Sequence, residues 1–206
     1  HSYITLYRFT TEQTNKMVFH LLDAKELDYD FRNFIIDKTE GIPFFIEEFI
    51  KSLMDLGLIE TRGSSLSLHK DFSHLEIPST IQEVIMTRID KLPENARELL
   101  KVSSAIEREF GYELIFLLMQ CPEAELLSCI SLLKDAELIF ERGISPQSVY
   151  IFKHALTREI IYDSILSERQ KKYHEQIGLA IEFLAKDNLD EYYEILTGHF
   201  TDSENY

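Results

Sequence analysis

Adjacent carboxylates, a cysteine pair and isolated histidine and arginine residues are the features of this sequence whose residue types could do chemistry. Glu47 and Glu48 are neighbours on a predicted helix, the simplest place to look for an acid and a base. Successive helical side chains diverge by about 100°, so these carboxylates do not share a reacting atom. We therefore expect both to lie mainly on a solvated face and not to form a catalytic pair.

The cysteines form no recognisable metal or disulfide pattern. Cys121 and Cys129 are eight residues apart within an apolar stretch. This spacing matches neither a set of zinc ligands nor a disulfide framework. We expect buried thiols in a reducing cytosol, and no metal site is predicted.

His154 and Arg88 are the remaining candidates for a binding role. His154 stands at the start of an amphipathic helix, where a lone histidine more often caps the helix or lies at the surface than binds a ligand. Arg88 shares a predicted helix with Glu83 and Asp90, and an ion pair with one of these acids is the expected arrangement. The residues alone therefore favour a structural role for both.

Charge and composition exclude several classes of function. Twenty-one Lys and Arg against 36 Asp and Glu give a formal charge of -15, which repels nucleic-acid backbones and anionic lipid surfaces. Apolar runs are too short to cross a bilayer, and no secretory signal is present. Because the sequence opens at His1 without an initiator Met, we expect a segment of a longer protein. Without a secretory signal, we expect that protein to be cytoplasmic.

Helical periodicity dominates the chain, so a mainly α fold is predicted. Residues 1–8 are interpreted as the end of a strand from a missing upstream domain, and 9–76 as a helical lid bundle. The predicted lid elements are helices at 11–22, 28–39 and 43–56, a strand-like run at 58–61 and a polar turn at 62–67. Between the second and third helices, Gly41 suits a left-handed helix end and Pro43 suits the first turn of the next helix.

A winged-helix domain is predicted over 77–166. Its predicted elements are helices at 81–92, 94–106, 112–119 and 123–136, a hairpin of 138–142 and 148–152, and a last helix reaching 166 with Leu156, Ile160, Ile161 and Ile165 facing inwards. Winged helices commonly bind DNA, but the helix that would enter the groove, 123–137, carries four acids and one Lys. Groove-reading helices supply Arg, Lys, Asn or Gln, so DNA binding is not expected.

The last part of the chain, 167–206, is predicted to begin an α-helical repeat array. Two amphipathic helices, 171–185 and 189–200, are joined by a short polar link. One helix pair cannot bury both of its faces, so further repeats are expected beyond Tyr206. Exposed apolar surface on the isolated chain is the expected consequence.

Three segments, 40–49, 77–93 and 152–166, together resemble the STAND branch of AAA-type ATPases. Their order and spacing match as well, and nearly the whole chain is covered. More narrowly, the chain resembles the ATPase segment of bacterial proteins that join adenylate or guanylate cyclase domains, protein kinase domains or LuxR-type regulators to tetratricopeptide arrays. Within such a protein this chain would be the lid and winged-helix portion.

The resemblance implies roles for four residues. The turn Gly41-Ile42-Pro43 would pack against the adenine of bound ATP or ADP, with Pro43 as the contact. His154 would reach the β-phosphate of ADP and stabilise the closed, inactive state, a role that an imidazole donor suits. By looser analogy, Arg88 would sense phosphate.

Two departures from the family limit what this chain can do alone. Ile42 replaces the Asn of the commoner Gly-Asn-Pro turn, and no G-x-x-x-x-G-K-[ST] motif or magnesium-binding strand end occurs in the sequence. Nucleotide and Mg²⁺ would be bound mostly by the upstream domain, so we expect no ATP hydrolysis by these residues, although the intact protein would be an ATPase. The expected partners are the upstream domain, downstream repeats and other proteins; a protein–protein interaction module without nucleotide contact is the alternative.

Overall fold

The computed structural model describes residues 7–24, 26–62, 65–68, 80–143, 148–186 and 188–204. The chain forms two compact units, His1–Arg88 and Ile89–Tyr206, and is mainly helical, as predicted. Most of the strand predicted at 1–8 lies outside the described residues. Among those that are described, no single helix has the length and apolar character needed to cross a membrane.

Four helices belong wholly or largely to the first unit: α1 (Thr11–Leu21), α2 (Tyr29–Thr39), α3 (Pro43–Asp55) and α4 (Ile81–Asp90). The predicted starts of α1 and α2 are confirmed, because side chains cap both. Thr10 Oγ1 accepts from the Gln13 backbone N–H at 3.3 Å, and Gln13 Oε1 accepts from the Thr10 N–H at 2.9 Å. Asp28 accepts from the backbone N–H groups of Asp30 and Phe31.

A small mixed sheet accompanies these helices. Strands β1 (Glu26–Leu27), β2 (Ile59–Arg62) and β3 (Ser65–Leu68) lie in the order β1-β3-β2, with β3 parallel to β1 and antiparallel to β2. The polar turn predicted at 62–67 was therefore wrong for Arg62, which ends β2, and for residues 65–67, which belong to β3. Strand β3 forms because it pairs with a strand on each side. One of these partners, β1, lies 39 residues earlier in the chain, and a local sequence pattern does not reveal it.

The core of the first unit is apolar and comes from every helix. Its buried members are Val18, Leu27, Phe31, Ile35, Phe45, Ile46, Phe49, Ile50, Leu53, Leu58 and Val84. Helix α3 supplies the largest share, as its 3–4 spacing of apolar residues predicts.

The second unit combines helices with a three-stranded antiparallel sheet. Its first elements are α5 (Glu94–Ile106), β4 (Glu109–Gly111), α6 (Tyr112–Met119), α7 (Glu123–Asp135), β5 (Ile139–Arg142) and β6 (Val149–Phe152). The sheet order is β4-β6-β5, and β5 pairs with β6 as the predicted hairpin. Strand β4 was not predicted, because three residues are too few to show an alternating pattern.

Three α-helices complete this unit: α8 (Ala155–Asp163), α9 (Ser167–Leu184) and α10 (Tyr193–Ser203), with a 3₁₀ turn at Leu189–Tyr192. Ile160, Ile161 and Ile165 are buried as predicted. Leu156 is 38% exposed, so its predicted inward orientation was wrong. The buried face of α8 instead begins at Thr157, about 100° further round the helix.

Candidate functional site

The turn between α2 and α3 is fixed by a glycine that no other residue can replace without strain. Glu40 and Gly41 both have left-handed backbones, with φ of 48° and 72°. The Phe9 N–H donates to the Gly41 carbonyl at 2.7 Å. A Cβ on residue 41 would lie 2.3 Å from the Phe9 carbonyl oxygen, so the close approach requires glycine. The left-handed conformation predicted for Gly41 is confirmed.

Pro43 begins α3 at its first helical position, as predicted. The preceding Ile42 is the N-cap residue, its side chain is 38% exposed, and no side chain caps the helix. The Ile42 N–H donates to the Thr39 carbonyl at 2.9 Å, and the Thr39 hydroxyl donates to the Ile35 carbonyl at 2.8 Å. The turn thus presents a half-exposed apolar surface, Ile42 and Pro43, on a backbone that hydrogen bonds hold in place.

Arg88 lies on α4 and forms an ion pair with Glu48 of α3. The two side chains are 8% and 2% exposed, and Arg88 Nε is 3.9 Å from Asp55 Oδ2. The prediction that Glu48 faces solvent was wrong, because Glu48 lies within the buried face of α3, beside Phe45 and Ser52. A buried carboxylate requires a partner, and Arg88 supplies it.

His154 is the N-cap residue of α8 and follows strand β6 directly. Its backbone is extended, its carbonyl accepts from the N–H groups of Thr157 and Arg158 at 3.2 and 3.4 Å, and its side chain makes no capping hydrogen bond. The neighbouring Lys153 N–H donates to the Leu138 carbonyl at 3.0 Å, which ties this junction to the start of β5. The imidazole is half-buried at this strand-to-helix junction.

Three of the four predicted site residues are linked through one helix. Pro43 begins α3, Gly41 shapes the turn before it, and Glu48 in its second turn holds Arg88. The turn therefore offers an apolar contact surface. The charge of Arg88 is paired with that of Glu48 inside the unit. His154 belongs to the second unit, at the junction between β6 and α8.

Two buried histidines of the second unit were not identified from the sequence. His174 on α9 and His199 on α10 are 5% and 6% exposed, and their Nδ1 atoms are 2.8 Å apart. The available signal was helical spacing: His174 precedes the buried Ile177 by three residues, and His199 follows the buried Leu196 by three. Each histidine therefore lies on the apolar face of its helix, where only a specific partner makes a polar group stable.

Fold and site together define a mainly helical, two-unit protein in which the turn at Gly41–Pro43 requires a glycine. The model of a domain of unknown function, DUF8739, matches residues 10–63. This segment contains α1, α2, α3 and the turn, and its description names no activity. None of the curated proteins matches the chain.

Proposed function

We propose that this chain is the regulatory lid and winged-helix portion of a nucleotide-switched signal-transduction ATPase of the STAND class. Its role would be to transmit the ATP or ADP state of a preceding domain to a fused effector such as a cyclase, a kinase or a transcription regulator. The observation that carries the proposal is the rigid, half-exposed turn of Gly41, Ile42 and Pro43 at the start of α3.

This turn suits contact with a planar base. Its exposed atoms are aliphatic, and the backbone is held by the Phe9–Gly41 and Ile42–Thr39 hydrogen bonds, so little conformational entropy remains to be lost on binding. Pro43 would pack against adenine, and the apolar Ile42 would add contact area in place of a polar contact. Selectivity for the phosphates would come from elsewhere in the protein.

The order of elements in the second unit supports a winged helix. Helix α5, strand β4, helices α6 and α7, and the β5–β6 hairpin follow one another, and β4 joins the hairpin as a third antiparallel strand. A winged-helix domain would have this element order, with the hairpin as its wing. His154, directly after the wing, would hydrogen-bond the β-phosphate of ADP in the closed state.

The exposed face of α7 favours a protein partner over DNA. Glu123, Glu125 and Asp135 are exposed, and the one Lys of the helix, Lys134, is paired with Glu141 at 2.5 Å. Leu127, 46% exposed, adds an apolar contact surface to the same helix. An acidic and apolar helix does not fit the phosphate-lined groove of DNA.

Helices α9 and α10 support the start of a helical repeat. A Cβ on Gly178 of α9 would lie 2.8 Å from the Phe200 ring of α10, so the glycine permits the close packing of this antiparallel pair. Outward-facing apolar side chains remain available for a neighbouring helix pair; these are Leu179, Phe183, Leu184, Tyr193 and Ile195. The same exposed side chains favour the second candidate function, a protein–protein interaction module with no nucleotide contact.

In the proposed mechanism, ATP or ADP and Mg²⁺ are bound by the preceding domain. Pro43 and His154 add contacts that favour the closed ADP state, and exchange or hydrolysis removes this preference. The lid and winged helix then change position and pass the change to the effector. Residues 1–206 alone would bind nucleotide weakly and would not hydrolyse it, since the phosphate cradle lies in the preceding domain.

The test is the nucleotide content of the intact protein, purified together with the proposed preceding domain. We expect co-purified ADP, released by acid and quantified by chromatography, at close to one equivalent. The variants Pro43→Ala and His154→Ala should each retain several-fold less ADP and show raised basal effector output. His20→Ala, an exposed histidine on α1, is the matched control and should behave as the parent protein.

The outcome also separates the two candidate functions. The switch proposal is contradicted if the intact protein carries no nucleotide. It is also contradicted if all three variants retain ADP equally. In that case, substitution of the exposed apolar residues Leu179 and Phe183 by Ser should abolish a protein contact while leaving nucleotide content unaffected.

A further inference from the structure

The second unit contains a cavity of about 610 Å³ that the proposed function does not use. Residues from the end of α5, from β4 and α6 and from helices α8, α9 and α10 line it, and all of them belong to this unit. The apolar part of the wall comes from Ile106, Phe110, Leu114, Ile181, Tyr192 and Ile195. A cavity of this volume with apolar walls and a few polar groups has the form of a small-molecule site.

Helix α10 lines the cavity with a single face. Its wall residues are Glu194, Ile195, Gly198, His199 and Asp202, at the spacing that puts side chains on one side of a helix. A Cβ on Gly198 would meet no atom of the described residues within 4 Å, apart from its chain neighbours and its own helix backbone. Glycine in a helix interior is destabilising, and close packing does not require it here. Its effect is to leave space in the cavity.

His199 brings a buried polar group to this wall. Its side chain is 6% exposed, and its Nδ1 is 2.8 Å from His174 Nδ1. His199 Nε2 has no hydrogen-bond partner among the described residues. A buried ring nitrogen is stabilised by a partner, and a ligand in the cavity can supply one.

Tyr162, His174 and His199 form a chain that can accept a hydrogen bond from such a ligand. The Tyr162 hydroxyl is 2.8 Å from His174 Nε2. If His199 accepts at Nε2, its proton is on Nδ1 and is donated to His174 Nδ1. His174 then has its proton on Nε2 and donates it to the Tyr162 oxygen. The reverse direction would present an Nε2–H to the ligand, so the charges on the wall decide which direction is favoured.

The charges on the cavity wall favour a cation. Four carboxylates line it, those of Glu107, Glu109, Glu194 and Asp202. Glu109 is paired with Arg142 at 2.6 Å, whereas Glu107 and Glu194 have no ion-pair partner among the described residues. Arg158, the cation among the described wall residues, donates through Nε to the Ser104 carbonyl at 2.8 Å and opposes only part of this negative charge.

The two imidazoles do not offset these carboxylates. Burial lowers the pKa of His174, and burial together with the nearby His174 lowers the pKa of His199 to about 4. Both rings are therefore neutral at pH 7. A cationic ligand meets a lone pair at His199 and negative charge around it.

We infer that this cavity binds a small organic cation, an ammonium group carried on an apolar or aromatic body. The ammonium group would donate to His199 Nε2 and be attracted by Glu194 and Asp202. The body would pack against Ile195 and Phe110 in the space beside Gly198. An anion would be repelled by the carboxylates, and a neutral molecule would not be attracted by them.

An NMR titration of the whole 206-residue chain with 2-phenylethylamine tests the preference for a cation. We expect saturable shifts of the His199 ring and Ile195 methyl signals. The neutral analogue 2-phenylethanol should bind at least about 10-fold more weakly, and the anionic analogue 3-phenylpropionate should give no saturable shift. The proposal is overturned if the amine gives no saturable shift, or if the alcohol binds as tightly as the amine.

Substitution of exposed carboxylates tests where the ammonium group lies without disturbing the core. Glu194→Gln and Asp202→Asn should each weaken binding of 2-phenylethylamine about 3- to 5-fold. The matched control is Glu159→Gln, which removes an exposed carboxylate of α8 that is not among the described wall residues, and it should bind as the unmodified chain does. Equal affinities in all of these variants would contradict the proposal.

Gly198→Leu tests whether the amine occupies this cavity. Leu favours a helix more than Gly does, so α10 should remain folded, as circular dichroism would show, while the new side chain fills the space. We expect binding of 2-phenylethylamine to weaken at least about 10-fold. Undiminished binding in the folded variant would mean that the amine binds elsewhere.

The tautomer of His199 gives a readout that needs no substitution. With 2-phenylethylamine bound, long-range ¹H–¹⁵N spectra should show His199 protonated at Nδ1 and unprotonated at Nε2. A proton on Nε2 in the bound state would contradict the proposed hydrogen bond from the ammonium group.

Discussion

The two units bury their polar groups in opposite ways. The first unit buries a charged pair, Glu48 and Arg88, between α3 and α4. The second buries a hydrogen-bonded chain of Tyr162, His174 and His199 among α8, α9 and α10. An ion pair that loses one partner leaves an isolated charge in the interior, whereas a histidine pair can gain or lose a proton. The first arrangement is therefore suited to holding two helices together, and the second makes the stability of its unit depend on pH.

The ion pair gives the largest expected effect. Arg88→Ala leaves Glu48 buried without this charged partner and should lower the free energy of unfolding by about 3–5 kcal/mol, measured by urea denaturation. The matched control is Arg8→Ala, which removes an exposed pair with Glu40 and should cost less than about 1 kcal/mol. Equal free energies of unfolding for the two variants would show that the buried pair stabilises the fold no more than the exposed one does.

Replacing both partners sharpens the same comparison. The double variant Glu48→Met with Arg88→Met retains side-chain volume without charge, and should recover most of the stability lost in Arg88→Ala. If the double variant is no more stable than Arg88→Ala, the lost stability comes from altered packing and not from the unpaired carboxylate.

The histidine pair predicts a pH dependence confined to the second unit. Burial and the nearby His174 lower the pKa of His199 from 6.5 to about 4, and burial also lowers the pKa of His174. Asp202 and Glu107 favour the protonated form of His174, but their effect is smaller than that of burial. Between pH 6.5 and 4 the unfolded chain takes up protons that the folded chain does not, so stability falls as pH falls.

The expected loss over this interval is on the order of 3 kcal/mol from His199 alone. Thermal unfolding at a series of pH values measures it. His199→Gln is the control and should reduce the loss between pH 6.5 and 4, leaving the contribution of His174. A profile that is identical in the variant would show that the stability change arises from other groups.

Glycine substitutions separate steric clash from backbone strain in the first unit. Gly41→Ala combines a φ of 72° with a 2.3 Å approach to the Phe9 carbonyl and should cost about 2 kcal/mol or more. Gly57, with a φ of 65° and open space around its Cβ position, is the matched control and should cost only about 1 kcal/mol as Ala. Equal losses in urea denaturation would mean that the turn relaxes away from Phe9.

Removal of a helix-capping side chain should give the smallest loss of stability. The two units also differ in how their helices are capped. Side chains cap α1 and α2, whereas no side chain caps any of α5 to α10. Asp28→Ala should therefore destabilise the first unit by about 1 kcal/mol, measured by urea denaturation. Pro122→Ala, at the start of α7, removes no capping side chain and should change stability less.

The sequence predicts those features that depend on residues close to one another in the chain. The starts of α1, α2 and α3 were predictable because Thr10, Asp28 and Pro43 act within a few residues of themselves. The Gly41 conformation was predictable for the same reason. These local signals account for the starts of the first three helices and for the shape of the turn.

Long-range partners account for what was missed. Glu48 is buried because Arg88 reaches it from 40 residues away, and His174 meets His199 across 25 residues. Strand β1 is only two residues long and depends on β3 for its hydrogen bonds. In each case a polar group is stable only once its partner is folded beside it, and a local pattern carries no trace of that partner.

The hydrogen bond from Phe9 to Gly41 also has a mechanical consequence. Together with the ion pair between Arg8 and Glu40, it joins the segment before α1 to the turn before α3 across a chain separation of 32 residues. A pull on this segment is transmitted to the turn directly, without first unwinding α1. Stretching the chain at residues 8 and 9 would therefore load the start of α3 before the end of α1.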